Sequence, residues 1–377
     1  MGARGARPRA RRGLRGRRAR GRDRQGGHPV PARHDRGALR RPQPRGQPRP
    51  RAQQRAGGGR DRARLGGTGR RLTVAGSRVV VVGDVIDDII VVPGGPVRAD
   101  TDTTSAIVRR PGGSASNTAA WLGWLGAPVD LVGRVGAGDL ERHASVLRAS
   151  GVAPHLTEDP DRVTGTIVIV VEGEHRTMLT DRGANATLSP EAVTDALLDD
   201  AAYLHLTGYT LFDAFEAESF AQLVRRAHDR GVVVSLDPGS AGFLVDYGVR
   251  RFLADTRGVD ILLPNRAEAQ LLVGDATTRV GSTLSPEECA EALLEHAPTV
   301  VLTSGGEGVI IARRGHELQR VPVEPVETVD PTGAGDAFSA GLLHGLLAGD
   351  DVVAATATGV RTAREAVALR GGRPPLA

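Results

Sequence analysis

The sequence predicts an α/β fold: a mostly parallel central sheet with helices on both faces, plus a small accessory β unit. Three observations predict it. Short, wholly apolar runs such as Val79-Val80-Val81-Val82 read as strands buried on both faces. From about residue 78 onward such runs alternate with helical stretches, the pattern of repeated β–α units. Glycine, acidic and asparagine residues recur where the strands end, which is where open α/β sheets hold ligands.

Residues 1–76 have a different character. They hold 24 arginines against three acids, Asp23, Asp35 and Asp61, with no aromatic residue. Such a segment cannot bury enough surface to offset its ordering entropy, so it is expected to be a disordered tail. It reads either as a basic arm for nucleic acid or as a stretch outside the working protein, with the native start near Val74. The second reading is favoured, and a nucleic-acid partner is not expected. Residues 77–377 form the expected folded domain, with 25 arginines against 41 acids.

The elements follow in order. After the valine strand comes Gly83-Asp84-Val85-Ile86-Asp87-Asp88, placing acids at a strand's carboxyl end. Residues 105–110 read as a short strand leading into Pro111-Gly112-Gly113-Ser114-Ala115-Ser116-Asn117, whose glycines permit close backbone approach to a ligand. A helix is predicted over 118–125 and a strand over 129–135, followed by Gly136-Ala137-Gly138-Asp139 and a helix over 140–149. Residues 166–171 and 176–180 read as a hairpin that joins the 105–110 strand in a small sheet. Helices over 190–198, 214–229 and 286–295 then alternate with strands over 203–206, 232–236, 261–263 and 299–302. A second hairpin spans 309–323, a β-like run continues to Val329, and the last helix covers 351–369.

Composition excludes several chemistries. The chain contains no lysine, so no Walker A, Schiff-base or protein-kinase strand lysine exists. Its single cysteine, Cys289, allows neither an intramolecular disulfide nor a cysteine metal cluster. No apolar run reaches the ~18 residues of a membrane span, and the N-terminus lacks the apolar core of a signal peptide. A cytoplasmic enzyme is expected.

The organising stretch is Val329-Asp330-Pro331-Thr332-Gly333-Ala334-Gly335-Asp336-Ala337-Phe338. Two glycines let the backbone turn into a helix of small residues. The first amides of that helix point outward without partners, and the helix dipole adds positive charge there. This is an anion site, with phosphate the usual occupant. Asp336 within it fits two roles equally on local spacing: a helix N-cap, or a base taking a proton from an attacking alcohol.

Together, Gly112-Gly113 through Asn117, Trp121-Leu122-Gly123, Gly133-Arg134-Val135-Gly136, Asn265-Arg266-Ala267-Glu268 and the Asp330–Phe338 stretch resemble the ribokinase (PfkB) family of carbohydrate kinases. The resemblance runs from about Arg78 to Arg373. It implies a ribokinase-like three-layer fold with a small β lid, its strands lying around 98–110 and 163–182. It implies ATP-dependent phosphorylation of a hydroxyl of a small sugar or sugar acid, with Mg²⁺. By resemblance Asp336 is the base, and the amides of Gly333, Ala334, Gly335 and Asp336 form the anion hole. Asp88, Gly112, Gly113 and Asn117 face the sugar. Asn265 and Glu268 act near Mg²⁺ and the ATP phosphates, the metal through water. Thr303, Gly305 and Gly308 line the nucleotide site. Asp330 and Thr332 correspond to a loop that binds a monovalent cation such as K⁺ in some members. The lid also serves several members as a homodimer surface.

The chain departs from ribokinases proper at Ser114, Ile86 and Thr207-Gly208-Tyr209, where the family tends to carry polar or charged groups. Buried polar contacts discriminate sugars, so ribose itself is not indicated. A nucleoside kinase is the alternative within the family, although residues 98–110 and 163–182 hold no aromatic side chain for stacking a base. The alternatives of another class are nucleic-acid binding through the arginine tail and a kinase-like fold that binds without catalysis.

Overall fold

The computed structural model describes residues 76–375, apart from 173–174 and 275–283. All of the arginine-rich segment but Gly76 lies outside the described residues.

Strand β1 (Arg78–Val82) is the centre of the molecule. Its valines alternate: Val80 and Val82 enter one apolar layer, and Val79 and Val81 enter the other. A strand whose successive side chains are all buried requires cover on both faces. β1 pairs in parallel with β4 (Val129–Gly136) on one side and β8 (Ala201–Thr207) on the other. β5 (Ala153–Asp159) extends the sheet beyond β4. Beyond β8 follow β9 (Val233–Asp237), β10 (Ile261–Leu262) and β11 (Thr299–Thr303), all parallel. β12 (Val309–Arg313) and β13 (Gln319–Val321) close that edge in antiparallel fashion. The described residues thus form a nine-stranded sheet. Its strand order reverses direction between β1 and β8, which opens a crevice at their carboxyl ends.

Helices cover both faces. Against Val79 and Val81 pack α1 (Ser114–Trp124), α2 (Leu140–Ala149), α10 (Ala334–Leu347) and α11 (Val352–Val367). Against Val80 and Val82 pack α5 (Ala217–Asp229), α7 (Val249–Asp255), α8 (Arg266–Gly274) and α9 (Pro286–Ala292). The three expected layers are present.

The lid is a separate four-stranded sheet. Its order is β3 (Ser105–Gly112), β2 (Ile86–Pro93), β6 (Gly165–Glu172) and β7 (His175–Asp181). β2 leaves β1 through Asp84 and Val85, so one continuous segment joins the main sheet to the lid.

Several local expectations change. β2 and β5 were absent from the sequence reading; β2 pairs with the following β3 and with the distant β6, and β5 lies at the edge of the main sheet beside β4. α1 begins at Ser114 rather than 118, because Asp84 accepts hydrogen bonds from the amides of Ser114 and Ala115 at 2.9 and 3.2 Å. The helix expected over 190–198 breaks into a 3₁₀ turn and a short helix, where Thr194 caps the amide of Leu197. The 214–229 helix starts at Ala217, and two further helices occupy 241–255. The β-like run to Val329 leaves the ladder at Val321. The small residues of α10 bring it close to α11 rather than to the sheet. A Cβ on Gly341 would lie 2.8 Å from the Gly359 Cα, and one on Gly345 would lie 2.7 Å from the Ala355 Cα.

Candidate active site

The carboxyl ends of the parallel strands, the lid and the start of α10 surround a cleft of about 680 Å³. Asp336 stands in it, in the first turn of α10. The N-cap of that helix is Gly333, held at φ 76°, and a Cβ there would lie 2.5 Å from the Gly372 Cα. Glycine is therefore required on both grounds. The geometry removes the N-cap role from Asp336. Its Oδ1 accepts from the Ser114 hydroxyl at 2.7 Å, and its Oδ2 accepts from the Asn117 amide at 2.9 Å. Burial pushes its carboxyl up to about 7, with Asp237 and Asp84 adding to the rise and the two hydrogen bonds opposing it.

The Gly112-Gly113 turn into α1 is shaped around Asp88 and Asp84. A Cβ on Gly112 would lie 2.1 Å from Asp88 Oδ2, and one on Gly113, at φ 96°, would lie 2.6 Å from the Asp84 carbonyl oxygen. Asp88 projects from β2 into the cleft. Burial pushes its carboxyl up to about 7; the charge of Arg373 opposes this, while Asp84, Asp336 and Asp87 reinforce it.

On the opposite side stand Asn265 and Glu268. The Asn265 amide N–H donates to Glu268 Oε2 at 2.9 Å, and the Glu268 amide N–H donates to Asn265 Oδ1 at 3.0 Å. The Asn-x-x-Glu spacing thus builds a reciprocal cap at the start of α8. Glu268 is nonetheless buried and turned into the cleft, and burial raises its pKa. Asp237, ending β9, is raised by burial and by Glu268. Thr303 ends β11 and lines the same cleft. Gly305 and Gly308 form the turn beyond it and do not line the cleft, although both adopt positive φ.

Thr332 lines the cleft, whereas Asp330 lies behind it. Asp330 Oδ1 accepts from the Thr332 amide at 2.9 Å and pairs with Arg176 of β7 at 3.1 Å. Its Oδ2 accepts from the Gly371 amide at 3.0 Å. Burial would raise this carboxyl, but these donors and the Arg176 charge hold it below its usual value.

The second Gly-Ala-Gly-Asp copy lies outside the cleft. Asp139 occupies the N-cap position of α2 without capping it. Instead it pairs with Arg142 at 2.8 Å and accepts from the Thr164 hydroxyl at 2.6 Å, beside the lid.

Sequence reasoning missed Arg373. It follows Gly371-Gly372 after the last helix and returns to the Gly112–Asn117 loop. Its Nη2 donates to the Ser116 hydroxyl at 2.7 Å and the Gly112 carbonyl at 3.2 Å, and its Nε donates to Asn117 Oδ1 at 3.2 Å. The signal was a lone arginine after paired glycines, but its partners lie more than 250 residues away. Tyr209 and Phe243 were also missed; both line the cleft from the main domain, with ring centroids 5.4 Å apart.

Comparison with known proteins agrees with this architecture. Residues 77–377 match the profile of the pfkB family carbohydrate kinases. The chain is 28% identical over 260 residues to an uncharacterized sugar kinase of Archaeoglobus fulgidus, covering 68% of this chain and 94% of that protein. It is 28% identical over 313 residues to the 2-dehydro-3-deoxygluconokinase of Thermoproteus tenax, covering 79% and 90%. Among solved structures, the adenosine kinase of Sinorhizobium meliloti superposes with a TM-score of 0.69 at 28% identity, covering 80% of this chain and 96% of that one. The chain therefore belongs to the pfkB family of carbohydrate kinases, phosphotransferases with an alcohol group as acceptor.

Proposed function

We propose that this protein transfers the γ-phosphoryl group of ATP to a hydroxyl of a small sugar or sugar acid, with Asp336 as the general base. The observation that carries the proposal is Asp336 itself. A carboxylate held by two donors, with a pKa near 7, stands in the first turn of a helix that opens onto the cleft. Such a base is matched to proton transfer near neutrality.

The acceptor hydroxyl gives its proton to Asp336 as its oxygen bonds to the γ-phosphorus. The bond from that phosphorus to the bridging oxygen breaks, and ADP leaves with the electron pair. The amides of Gly333, Ala334, Gly335 and Asp336, at the positive end of α10, stabilise the charge on the transferring group, although that of Ala334 is not without a partner, since it also donates to the Pro331 carbonyl at 3.3 Å. Asp88, Asn117 and the Gly112-Gly113 backbone hold the acceptor.

Buried Glu268 and half-buried Asp237, whose ionisation Glu268 makes more costly, both line the cleft and fit a hard divalent cation on the phosphate side. Asn265 keeps Glu268 in place there, Thr303 lines the nucleotide side, and Gly305 and Gly308 turn the chain behind it. Mg²⁺ supplies charge neutralisation of the phosphates when bound.

A nucleoside acceptor is the second reading, and one observation favours it: Tyr209 and Phe243 supply the aromatic wall that the lid lacks. An ATP-consumption screen over sugars, sugar acids and nucleosides, with Asp336→Asn as control, decides between the two. Turnover with none of these classes, or equal turnover in the control, would sink the proposal.

We place the enzyme in the cytoplasm, where ATP is abundant; no helix among the described residues is long and apolar enough to cross a membrane. Strand register puts Ile89, Val91, Ile107 and Leu179 on the lid face turned from the cleft, with Ile107 and Leu179 about 60% exposed. A second copy covering this face accounts for them.

A further inference from the structure

We propose that Arg373 is a positioning residue for the base: its guanidinium locks the amide of Asn117 so that the NH₂ group, and not the oxygen, meets Asp336. The proposal rests on Asp336 being the base, and its geometry is independent of which acceptor is used.

The chain of contacts is short. Arg373 Nε donates to Asn117 Oδ1 at 3.2 Å, and Asn117 Nδ2 donates to Asp336 Oδ2 at 2.9 Å. An asparagine amide has two ends of opposite character and similar shape. A guanidinium only donates, so the end of Asn117 beside Arg373 must be the oxygen. The NH₂ end is then committed to Asp336. Were the amide reversed, an amide oxygen would face the carboxylate and an NH₂ would face the guanidinium, losing both bonds.

Arg373 is itself held firmly. Its Nη2 bonds the Gly112 carbonyl and the Ser116 hydroxyl, so it grips the start of α1, which carries Asn117. The preceding Gly372 carbonyl accepts from the Trp121 indole at 2.9 Å, and Gly371 is anchored on Asp330. Gly372 also allows the approach, since a Cβ there would lie 2.6 Å from Asn117 Nδ2. The Nη1 atom is buried without a hydrogen-bond partner. Leaving a buried charged donor unpaired costs free energy, which is consistent with a residue kept for its charge as well as its packing.

Charge acts in the same direction. Asp336 faces Ser114 and Asn117 from α1, Asp84 after β1, Asp88 from β2, Asp237 after β9 and Tyr209. Arg182 also lines the cleft, 5.2 Å over the Tyr209 ring, and Arg373 favours the ionised forms of Asp88 and Asp336. A base must be ionised before it accepts a proton.

The test reads the protonation of Asp336 directly and needs no acceptor. The full chain is labelled with ¹³C at the aspartate carboxyl carbons, and the signal missing from Asp336→Asn identifies the residue. Its titration is followed in the wild type, Arg373→Met, Asn117→Ala and the double variant. Each single substitution is expected to raise the Asp336 pKa by about one unit. The double variant is expected to fall clearly short of the sum of the two single shifts, because the part that passes through the Asn117 amide is shared while the charge of Arg373 acts on its own. Should Arg373→Met lose its cooperative thermal transition, Arg373→Lys takes its place in the same cycle, with the same non-additivity expected. An unmoved Asp336 titration, or shifts that add, would overturn the proposal. Turnover of Asp336→Asn tests the base separately, so the two failures are distinguishable.

Discussion

The Ser114 hydroxyl donates to Asp336 Oδ1 at 2.7 Å, across 222 residues of sequence. Ser114 opens α1 and Asp336 lies in the first turn of α10, so the bond ties together two helix N-termini at the cleft. At this position ribokinases proper tend to carry a lysine. The serine gives the carboxylate a neutral hydrogen-bond donor in place of a charged one.

Replacing Ser114 by Ala removes one donor that favours ionised Asp336, so the carboxyl pKa rises. In the wild type, kcat/KM should fall as pH drops through an acid limb near 7, where Asp336 and Asp88 titrate together. In Ser114→Ala that limb should move up by about half a unit to one unit, with turnover at pH 7 several-fold lower and largely recovered at pH 9. A pH–rate profile checks this. An unshifted limb would detach Ser114 from the base.

Asp336→Asn keeps the size of the side chain and removes the base, so kcat should drop by roughly two to four orders of magnitude while ATP still binds. Asp139→Asn should cost little in rate, because Asp139 sits beside the lid with Arg142 and Thr164, outside the cleft. Thermal melting and kcat are measured for both side by side. Comparable rate losses in the two would remove the distinction between the Gly-Ala-Gly-Asp copies.

Glu268→Gln isolates charge from capping. Glutamine at the third helical position preserves the reciprocal cap with Asn265, so melting temperature should change little. Turnover should slow and the Mg²⁺ concentration for half-maximal rate should rise several-fold, with the acceptor KM unchanged. Metal titrations of both proteins test it, and unaltered metal dependence would take Glu268 off the phosphate side.

Arg176 already brings a guanidinium to Asp330, the carboxylate expected beside a monovalent cation. Exchanging K⁺ for Na⁺ or tetramethylammonium at constant ionic strength should therefore change the wild-type rate by less than about twofold. Arg176→Met frees one side of Asp330 and should make the rate depend on K⁺. The comparison is an initial-rate series in the three salts. Strong K⁺ activation of the wild type would show that the guanidinium does not replace the cation.

Truncation before Val74 should leave folding and activity intact, because β1 begins at Arg78 and its four valines are wholly buried. Circular dichroism melting and specific activity of the shortened chain report on this. Failure to fold would make the arginine-rich segment structural.

What depends on local pattern was legible in the chain. Val79–Val82 reads as a doubly covered strand because burial on both faces leaves no polar alternation, and that reading carries the three-layer class with it. Gly333 and Gly335 around Ala334 announce a tight turn into a helix, and Asp336 beside them was legible as a candidate base. Local spacing left base and cap open at Asp336, and only the residues that follow each Gly-Ala-Gly-Asp copy, small after Asp336 and charged after Asp139, favoured Asp336 over Asp139 as the base. Only the tertiary structure gives the two carboxylates different surroundings, with Ser114 and Asn117 against Asp336 and Arg142 and Thr164 against Asp139. The same holds for β2, which becomes a lid strand only when β3 and β6 flank it, and for Arg373, whose partners lie at the other end of the domain. Periodicity and turn chemistry act between near neighbours in the chain. Strand order and helix packing bring distant residues together, and no single stretch of sequence contains that information.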